Sequence, residues 1–318
     1  MTMPSRTRRP WLAVLIAFFS TFLGMLYLGR GRRAFMWLGI YILILTLLGG
    51  FYLLGWHGLT TPLLIATYGV TLLGMIDTFR IARRDAGEFT SPWCSRWYSL
   101  IGVYAGFFLF IFGIRSFVIE PFRIPSSAMA STLQVGDFIL AYKLPYGNYG
   151  TYGIWLTHGA RMNVHQRPQR GDIMVFRFPG DPSVFYIKRV VGLPGDHIVY
   201  RNKKLYVNNV VVQSKFLHRA PETLSGGSSR PVSVYEERFN DKVYNVQYSD
   251  TKDPFQIDML VPDSDYFVLG DNRDRSNDSR YWGTVPEKNL IGRPIMIWLS
   301  IDPENGSVRP ERNRVGFL

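Results

Sequence analysis

Four segments concentrate the residue types that do chemistry. They are Ile124-Pro-Ser-Ser-Ala-Met129 with Gly136-Asp137 behind it, Arg170-Gly-Asp-Ile-Met-Val-Phe176, Tyr186-Ile-Lys-Arg-Val-Val-Gly-Leu-Pro-Gly-Asp196, and Gly270-Asp-Asn-Arg-Asp-Arg-Ser-Asn-Asp-Ser-Arg280. They hold hydroxyls, an amine, carboxylates and guanidinium groups, the materials of acid–base, ion-pairing and cation-binding chemistry. Taken singly, each has a plain explanation: Gly-Asp pairs make turns, and a Lys-Arg pair is usually a solvated strand edge. The acid-rich run Gly270–Arg280 invites a calcium loop, but it lacks the glycine at the sixth loop position and the closing glutamate. His158, His165, His197 and His218 lie in unrelated contexts and fit no triad signature, so they read as surface or hydrogen-bonding residues. Cys94 is the only cysteine, which excludes an internal disulfide and any multi-cysteine zinc or redox site.

The elements that must position these segments are of two kinds. After residue 118 the apolar runs are short, rich in Val, Ile, Tyr and Phe, and separated by Gly, Pro, Asn and Asp. They predict strands at Phe138–Tyr142, Ile173–Phe178, Tyr186–Val191, Ile198–Arg201, Lys204–Val207, Val210–Val212, Tyr266–Leu269 and Ile295–Leu299. Asn202-Lys203 and Asn208-Asn209 look like tight hairpin turns. No long amphipathic helical pattern is present, so residues 118–318 read as a mainly β domain. Residues 214–260 are more polar, with Ser-Gly-Gly-Ser-Ser at 225–229, and read as an insertion or flexible excursion.

Residues 1–117 are different. Uncharged apolar runs cover Trp11–Leu28, Ala34–Trp56, Thr61–Ile76 and Tyr98–Ile114. About 20 apolar residues span a hydrocarbon layer ~30 Å thick. Membrane segments are therefore expected at 34–56, at 98–116, and at 61–79 with Asp77 near the interface; 11–28 is a fourth candidate. The chain carries +12 overall, a charge that invites a nucleic-acid partner. Its distribution argues otherwise. Residues 1–117 hold eleven arginines, no lysine and three acids, a net +8, and the other 201 residues keep only +4. The arginines cluster between the apolar runs, at Arg6–Arg9, Arg30–Arg33 and Arg80–Arg96. By the positive-inside rule the loop 57–61 lies outside, 80–96 lies in the cytoplasm with Cys94, and everything after Arg115 is delivered outside. Arg6–Arg9 conflict with this rule if 11–28 crosses fully, whereas a half-inserted or re-entrant first segment keeps them inside. No small-x-small cleavage site follows 11–28, so a removable signal peptide is a weak reading of it.

Taken together, in this order and just after a membrane segment, the four motifs resemble bacterial type I signal peptidases, also called leader peptidases. The resemblance covers roughly residues 100–300. It rests above all on Tyr-Ile-Lys-Arg-x-x-Gly-Leu-Pro-Gly-Asp and Gly-Asp-Asn-Arg-Asp-x-Ser-x-Asp-Ser-Arg. It implies a membrane-anchored protease that cuts signal peptides from exported preproteins with a serine–lysine dyad and no cofactor or metal. The catalytic domain would sit on the extracytoplasmic side of the bacterial inner membrane, with the signal peptide and the lipid bilayer as partners and no nucleic acid. Lys188 matches the general base. Such a lysine must be neutral, which requires its pKa to fall by roughly two to three units; burial among Tyr186, Ile187 and Val190 would do this. Ser276 matches the serine that hydrogen-bonds the base, and Asp278 and Arg280 match a pair that braces it. Ser126 matches the oxyanion-hole serine, acting with the backbone N–H at 128. Ile124, Met129, Leu133, Tyr186 and Ile187 match the walls of shallow pockets for the small residues that end a signal peptide.

The nucleophile position departs from the family. The pattern Pro-Ser-x-Ser-Met reads Pro125-Ser126-Ser127-Ala128-Met129 here, so the attacking serine is replaced by Ala128. Ser127 is adjacent, but neighbours on an extended segment point to opposite faces. Ser131, where a proline is usual, is a milder departure. Either a serine has been substituted in an otherwise intact site, or this is a natural relative that binds signal peptides without cutting them. Outside the motifs, Leu144–Thr157 is uncharged and rich in aromatics and glycine. It is expected to skim the outer leaflet, with Tyr149 and Trp155 as its membrane contacts. The membrane segments exclude a soluble self-cleaving repressor, and the lack of ionisable residues in them other than Asp77 disfavours a transporter.

Overall fold

The computed structural model describes residues 9–53, 60–84, 97–157, 167–223, 229–251, 254–312 and 314–315. Cys94, His158, His165 and most of the loops 57–61 and 80–96 lie outside the described residues. The chain divides into two compact units, Met1–Ile111 and Phe112–Leu318.

The first unit is helical. Its helices are α1 (Pro10–Phe19), α2 (Thr21–Tyr27), α3 (Gly31–Leu53), α4 (Thr60–Arg84) and α5 (Trp97–Gly113), the last of which leads into the second unit. Segment 11–28 is two short helices. Ser20 is extended, at φ −161° and ψ 108°, which ends α1 and starts α2. A Cβ at Gly24 would come within 2.7 Å of Ala17, so glycine is what lets α2 fold back against α1. At 1.5 Å per residue the two pieces reach only about 15 and 10 Å. Among the described residues, three helical stretches are long and apolar enough to cross a membrane: Gly31–Gly49, Pro62–Arg84 and Ile101–Val118. Asp77 on α4 is satisfied locally, accepting from Arg33 at 2.8 Å and from the Trp37 indole at 3.1 Å.

The second unit is mainly β. A five-residue π-helical turn, Ile114–Val118, joins α5 to β1 (Ile119–Arg123). The following strands are β2 (Asp137–Tyr142), β3 (Gly150–Thr151), β4 (Ile154–Trp155), β5 (Ile173–Phe178), β6 (Asp181–Gly192), β7 (His197–Arg201), β8 (Lys204–Val207) and β9 (Val210–Val211). Then come β10 (Gln213–Thr223), β11 (Ser229–Phe239), β12 (Lys242–Ser249), β13 (Gln256–Leu260), β14 (Asp265–Leu269), β15 (Val285–Pro286), β16 (Leu290–Ser300) and β17 (Arg314–Val315). The main sheet runs β1-β2-β16-β5-β6-β14-β15, with β17 on β16. β1 contains Pro121, which an edge strand tolerates because one side of it is unpaired. The turns Asn202-Lys203 and Asn208-Asn209 have positive φ at both residues, as a type I′ hairpin requires.

Of the two readings of residues 214–260, an insertion or a flexible excursion, the described residues are ordered strands and correct the second. β10, β11 and β12 form an antiparallel sheet, and β13 pairs with β7. This region reads as polar because much of its surface faces water and because its buried positions include Glu222, Glu237 and Gln247. Tyr244, Val246 and Tyr248 alternate on the buried face of β12.

Candidate active site

Position 128 lies on a turn between two paired stretches. Beyond β1, Ile124 exchanges backbone hydrogen bonds with Asp137 and Gly136. Pro125 and Ser126 are exposed, and Ser127–Met129 forms one turn of 3₁₀ helix. Ser126 is extended, and its hydroxyl does not cap that turn. The helical turn corrects the expectation of an extended segment. Neighbours in a 3₁₀ turn are about a third of a turn apart, so Ser127 still diverges from Ala128, though not to the opposite face.

The loop 270–280 is tied to this turn and to β6. Gly270 is where they meet: a Cβ there would clash with the Ser276 hydroxyl and lie 2.6 Å from the Ala128 carbonyl oxygen. Asp278 accepts from the Gly270 N–H at 3.0 Å and caps α6 (Ser279–Trp282). It also takes two guanidinium hydrogen bonds from Arg280, at 2.8 and 2.9 Å. Arg280 in turn donates to the Arg273 carbonyl. The structure thus places Asp278 and Arg280 as a buried clamp that closes the loop. The Ser276 hydroxyl is buried there without a hydrogen-bond partner among the described residues, so the expected bond to Lys188 is not formed in this structure.

Lys188 lies on β6, opposite Met174 of β5. It is 5% exposed, and its ammonium sits 5.3 Å from the Tyr186 ring centre. Among the described residues it makes no hydrogen bond or ion pair. Burial pushes its pKa down to about 8, against the pull of Asp278 and Asp271 and with help from Arg280. The next residue, Arg189, behaves in the opposite way. It forms a buried bidentate pair with Asp271, at 2.7 and 2.6 Å, and Thr132 donates to the same carboxylate. Two adjacent cations on one strand therefore differ in kind: one is neutralised by a partner, and the other is left as an isolated, desolvated amine.

The apolar candidates separate. Ile124, Met129 and Leu133 are buried in one cluster with Ile139, Ile173 and Val175, and half-buried Ile187 packs against it. Tyr186 belongs to another cluster, where its ring stacks on Phe178 at 4.8 Å. The first three form a closed apolar floor rather than an open wall. Beside it, β6 has a free edge: β5 pairs with residues 181–189, whereas β14 reaches only Arg189–Gly192. His197 pairs with Asp258 across β7 and β13 and has no part in this site.

Sequence reasoning missed several supports. Asn272 donates from its backbone to the Ala128 carbonyl and from its side chain to the Ser127 carbonyl. Arg273 is buried against Glu237 of β11, and Asp274 accepts from Lys203 and Ser249. Arg189, Asp271 and Asn272 lie inside the motif runs and could have been singled out by their charge and order. Glu237 lies in the segment read as an excursion and gives no local signal.

Known proteins are similar to this chain in sequence. The family described as signal peptidase, peptidase S26, matches residues 94–299. The chain is 40% identical over 219 residues to signal peptidase I of Pseudomonas aeruginosa, covering 64% of this chain and 73% of that one. It is also 40% identical over 225 residues to signal peptidase I of Pseudomonas fluorescens, with the same coverage. Signal peptidase I of Buchnera aphidicola subsp. Acyrthosiphon pisum is 37% identical over 252 residues, 66% of this chain and 78% of that one. Apolar helices followed by a mainly β unit accord with those matches, and, with the family matching more than half of its length, the chain belongs to the signal peptidase family, peptidase S26.

Proposed function

We propose that this fold is a membrane-bound serine endopeptidase that removes signal peptides by a serine–lysine dyad. In this chain, with alanine at the nucleophile position, it binds signal peptides without cutting them. The observation that carries the reading is Lys188, a buried amine with its pKa near 8 and no hydrogen-bond or ion-pair partner among the described residues. Nothing in the packing gains from a desolvated, unpaired amine, whereas a general base needs one. A serine at 128 would give its proton to Lys188 as it attacks the scissile carbonyl. The Ser126 hydroxyl and the N–H at 128 would receive the oxyanion. Asp278 and Arg280 close the loop that carries Ser276, whose hydroxyl would hydrogen-bond the base. The substrate would enter extended and add to the free edge of β6, with its small residues over the floor of Ile124, Met129, Leu133 and Ile187. The presence of Ser126, Lys188, Ser276, Asp278 and Arg280 around Ala128 favours a substituted serine; a natural binding relative is the second reading. Restoring serine at 128 and assaying preprotein cleavage separates a competent site from a vestigial one.

The charge bias supports three crossings, with α1 and α2 entering without crossing. Arg9 and Arg30–Arg33 then share the cytoplasmic side, and the β unit lies outside the cytoplasm. Segment 144–157 remains the candidate membrane contact, but through other residues than first expected. Tyr149 turns inward to the Leu144 carbonyl and Phe117, and Trp155 lies under the Arg177 guanidinium. The segment's exposed apolar residues are Leu144, Tyr152, Ile154 and Leu156, at 45%, 71%, 51% and 41%, and the aliphatic pair Ile154 and Leu156 flanks Trp155. Replacing both by serine is expected to weaken binding of residues 112–318 to liposomes roughly tenfold, about 1.4 kcal/mol, by removing part of two aliphatic side chains from the interface. Unchanged co-sedimentation would remove this segment from the membrane contact.

A further inference from the structure

The peptide that joins Ser127 to residue 128 is held from one side only. Its carbonyl accepts from the Ala130 N–H at 3.0 Å and from Asn272 Nδ2 at 3.1 Å. Its N–H, on residue 128, makes no hydrogen bond among the described residues. In a trans peptide these two groups point in opposite directions. Fixing the carbonyl therefore aims the N–H away from the loop, free to meet an incoming oxygen.

The quality of that aim depends on which end of the Asn272 amide faces Ser127. Both ends of an asparagine amide fit the same space, but the oxygen end would repel the carbonyl. A carboxylate decides between them. Asn272 Nδ2 also donates to Glu222 Oε1 at 2.6 Å, and an ionised carboxylate can only accept. Glu222 thus selects the NH₂ orientation, and one amide nitrogen spends its two hydrogens on Glu222 and Ser127. Glu222 is itself buried and held by Arg230 at 2.8 Å, with Arg275 at 3.6 Å. It comes from β10, 50 residues before Asn272 in the chain.

We propose that Glu222 is a positioning residue: through Asn272 and the Ser127 carbonyl it orients the backbone N–H of residue 128 toward the oxyanion. The proposal rests on the reading of 128 as the nucleophile position, and its test starts from the full chain carrying Ala128→Ser. In that background Glu222→Ala lowers kcat by roughly tenfold to a hundredfold, somewhat less than outright loss of an oxyanion donor. KM stays within about twofold, and the pH midpoint set by Lys188 does not move, because orientation of the N–H matters only as charge develops. Asn272→Ala lowers kcat to a similar extent, and Glu222→Ala added to it costs nothing further. Glu222→Gln paired with Arg230→Ala recovers most of the activity, since the Gln oxygen is then free for Asn272.

Glu222→Ala cleaving at the parent rate, a fall shared by KM, a shifted pH midpoint, or independent effects in the double variant would each overturn the proposal. If Glu222→Ala does not accumulate, Asn272→Ala and the Gln pair decide it: the first must lose kcat with KM held, and the second must not. An inactive Ala128→Ser parent defeats the dyad reading and this inference with it. An active parent that is indifferent to Glu222 defeats the inference alone.

Discussion

Ala128→Ser turns the chain into a protease whose preprotein cleavage rises by roughly a millionfold, the scale of losing an activated serine nucleophile. The expectation follows from what the rest of the site already holds. A serine hydroxyl is a weak nucleophile until a base takes its proton, and a lysine can serve only when it is neutral. With its pKa near 8, roughly one Lys188 in ten is neutral at pH 7 and about half at pH 8. The cleavage rate should therefore climb through pH 8 and level off above it. In the restored chain Lys188→Ala should return cleavage to the Ala128 level, because nucleophile and base act as one unit and their losses do not add. The assay is release of a labelled mature protein from a preprotein in detergent or liposomes across pH 6–10. Restored protein no more active than its Lys188→Ala control would sink the dyad reading and leave the natural binding relative. A rate independent of pH through this range would instead remove Lys188 as the base.

The gross division of the chain was legible because hydrophobic run length responds directly to its solvent. The uncharged stretches 34–53, 61–76 and 98–113 have no use in water, and they appear as helices. Segment 11–28 has the same composition, yet it breaks at Ser20. The break depends on Gly24 meeting Ala17 and Ala13, a tertiary event that a run of apolar letters does not encode. In the β unit, strands with alternating or continuous apolar residues could be read, such as 173–178 and 204–207. β10 to β12 could not, because their buried positions include charged residues whose partners are far along the chain. Glu222 meets Asn272, and Glu237 meets Arg273. The candidate site divides along the same line. Motif order singles out Lys188, Ser276, Asp278 and Arg280, since each is close in sequence to a distinctive neighbour. The supports that aim those groups come from elsewhere in the sheet and are visible only in three dimensions.

Lys188→Met should abolish the restored activity and at the same time make the β unit markedly more stable. The buried ammonium has a folded pKa near 8, against 10.5 for a free lysine, so protonated Lys188 costs the folded state about 3 kcal/mol at pH 7. Methionine fills a similar volume with no charge to desolvate. For a unit of this size, a gain of that order corresponds to roughly 6–12 °C in Tm. The pH dependence fixes the cause. Between the folded pKa near 8 and the unfolded value of 10.5, the unfolded chain holds a proton at this lysine that the folded chain has lost. Stability of the lysine form therefore rises with pH across this window. The advantage of methionine is full below pH 8, shrinks as pH climbs, and is nearly gone by about pH 10.5. Thermal unfolding of the two forms in detergent at pH 7 and pH 10 measures both values. Equal stability at pH 7 would mean that Lys188 is solvated or paired in the folded protein. A methionine advantage that persists unchanged to pH 10 would mean that better packing, and not relief of a desolvated charge, is its source.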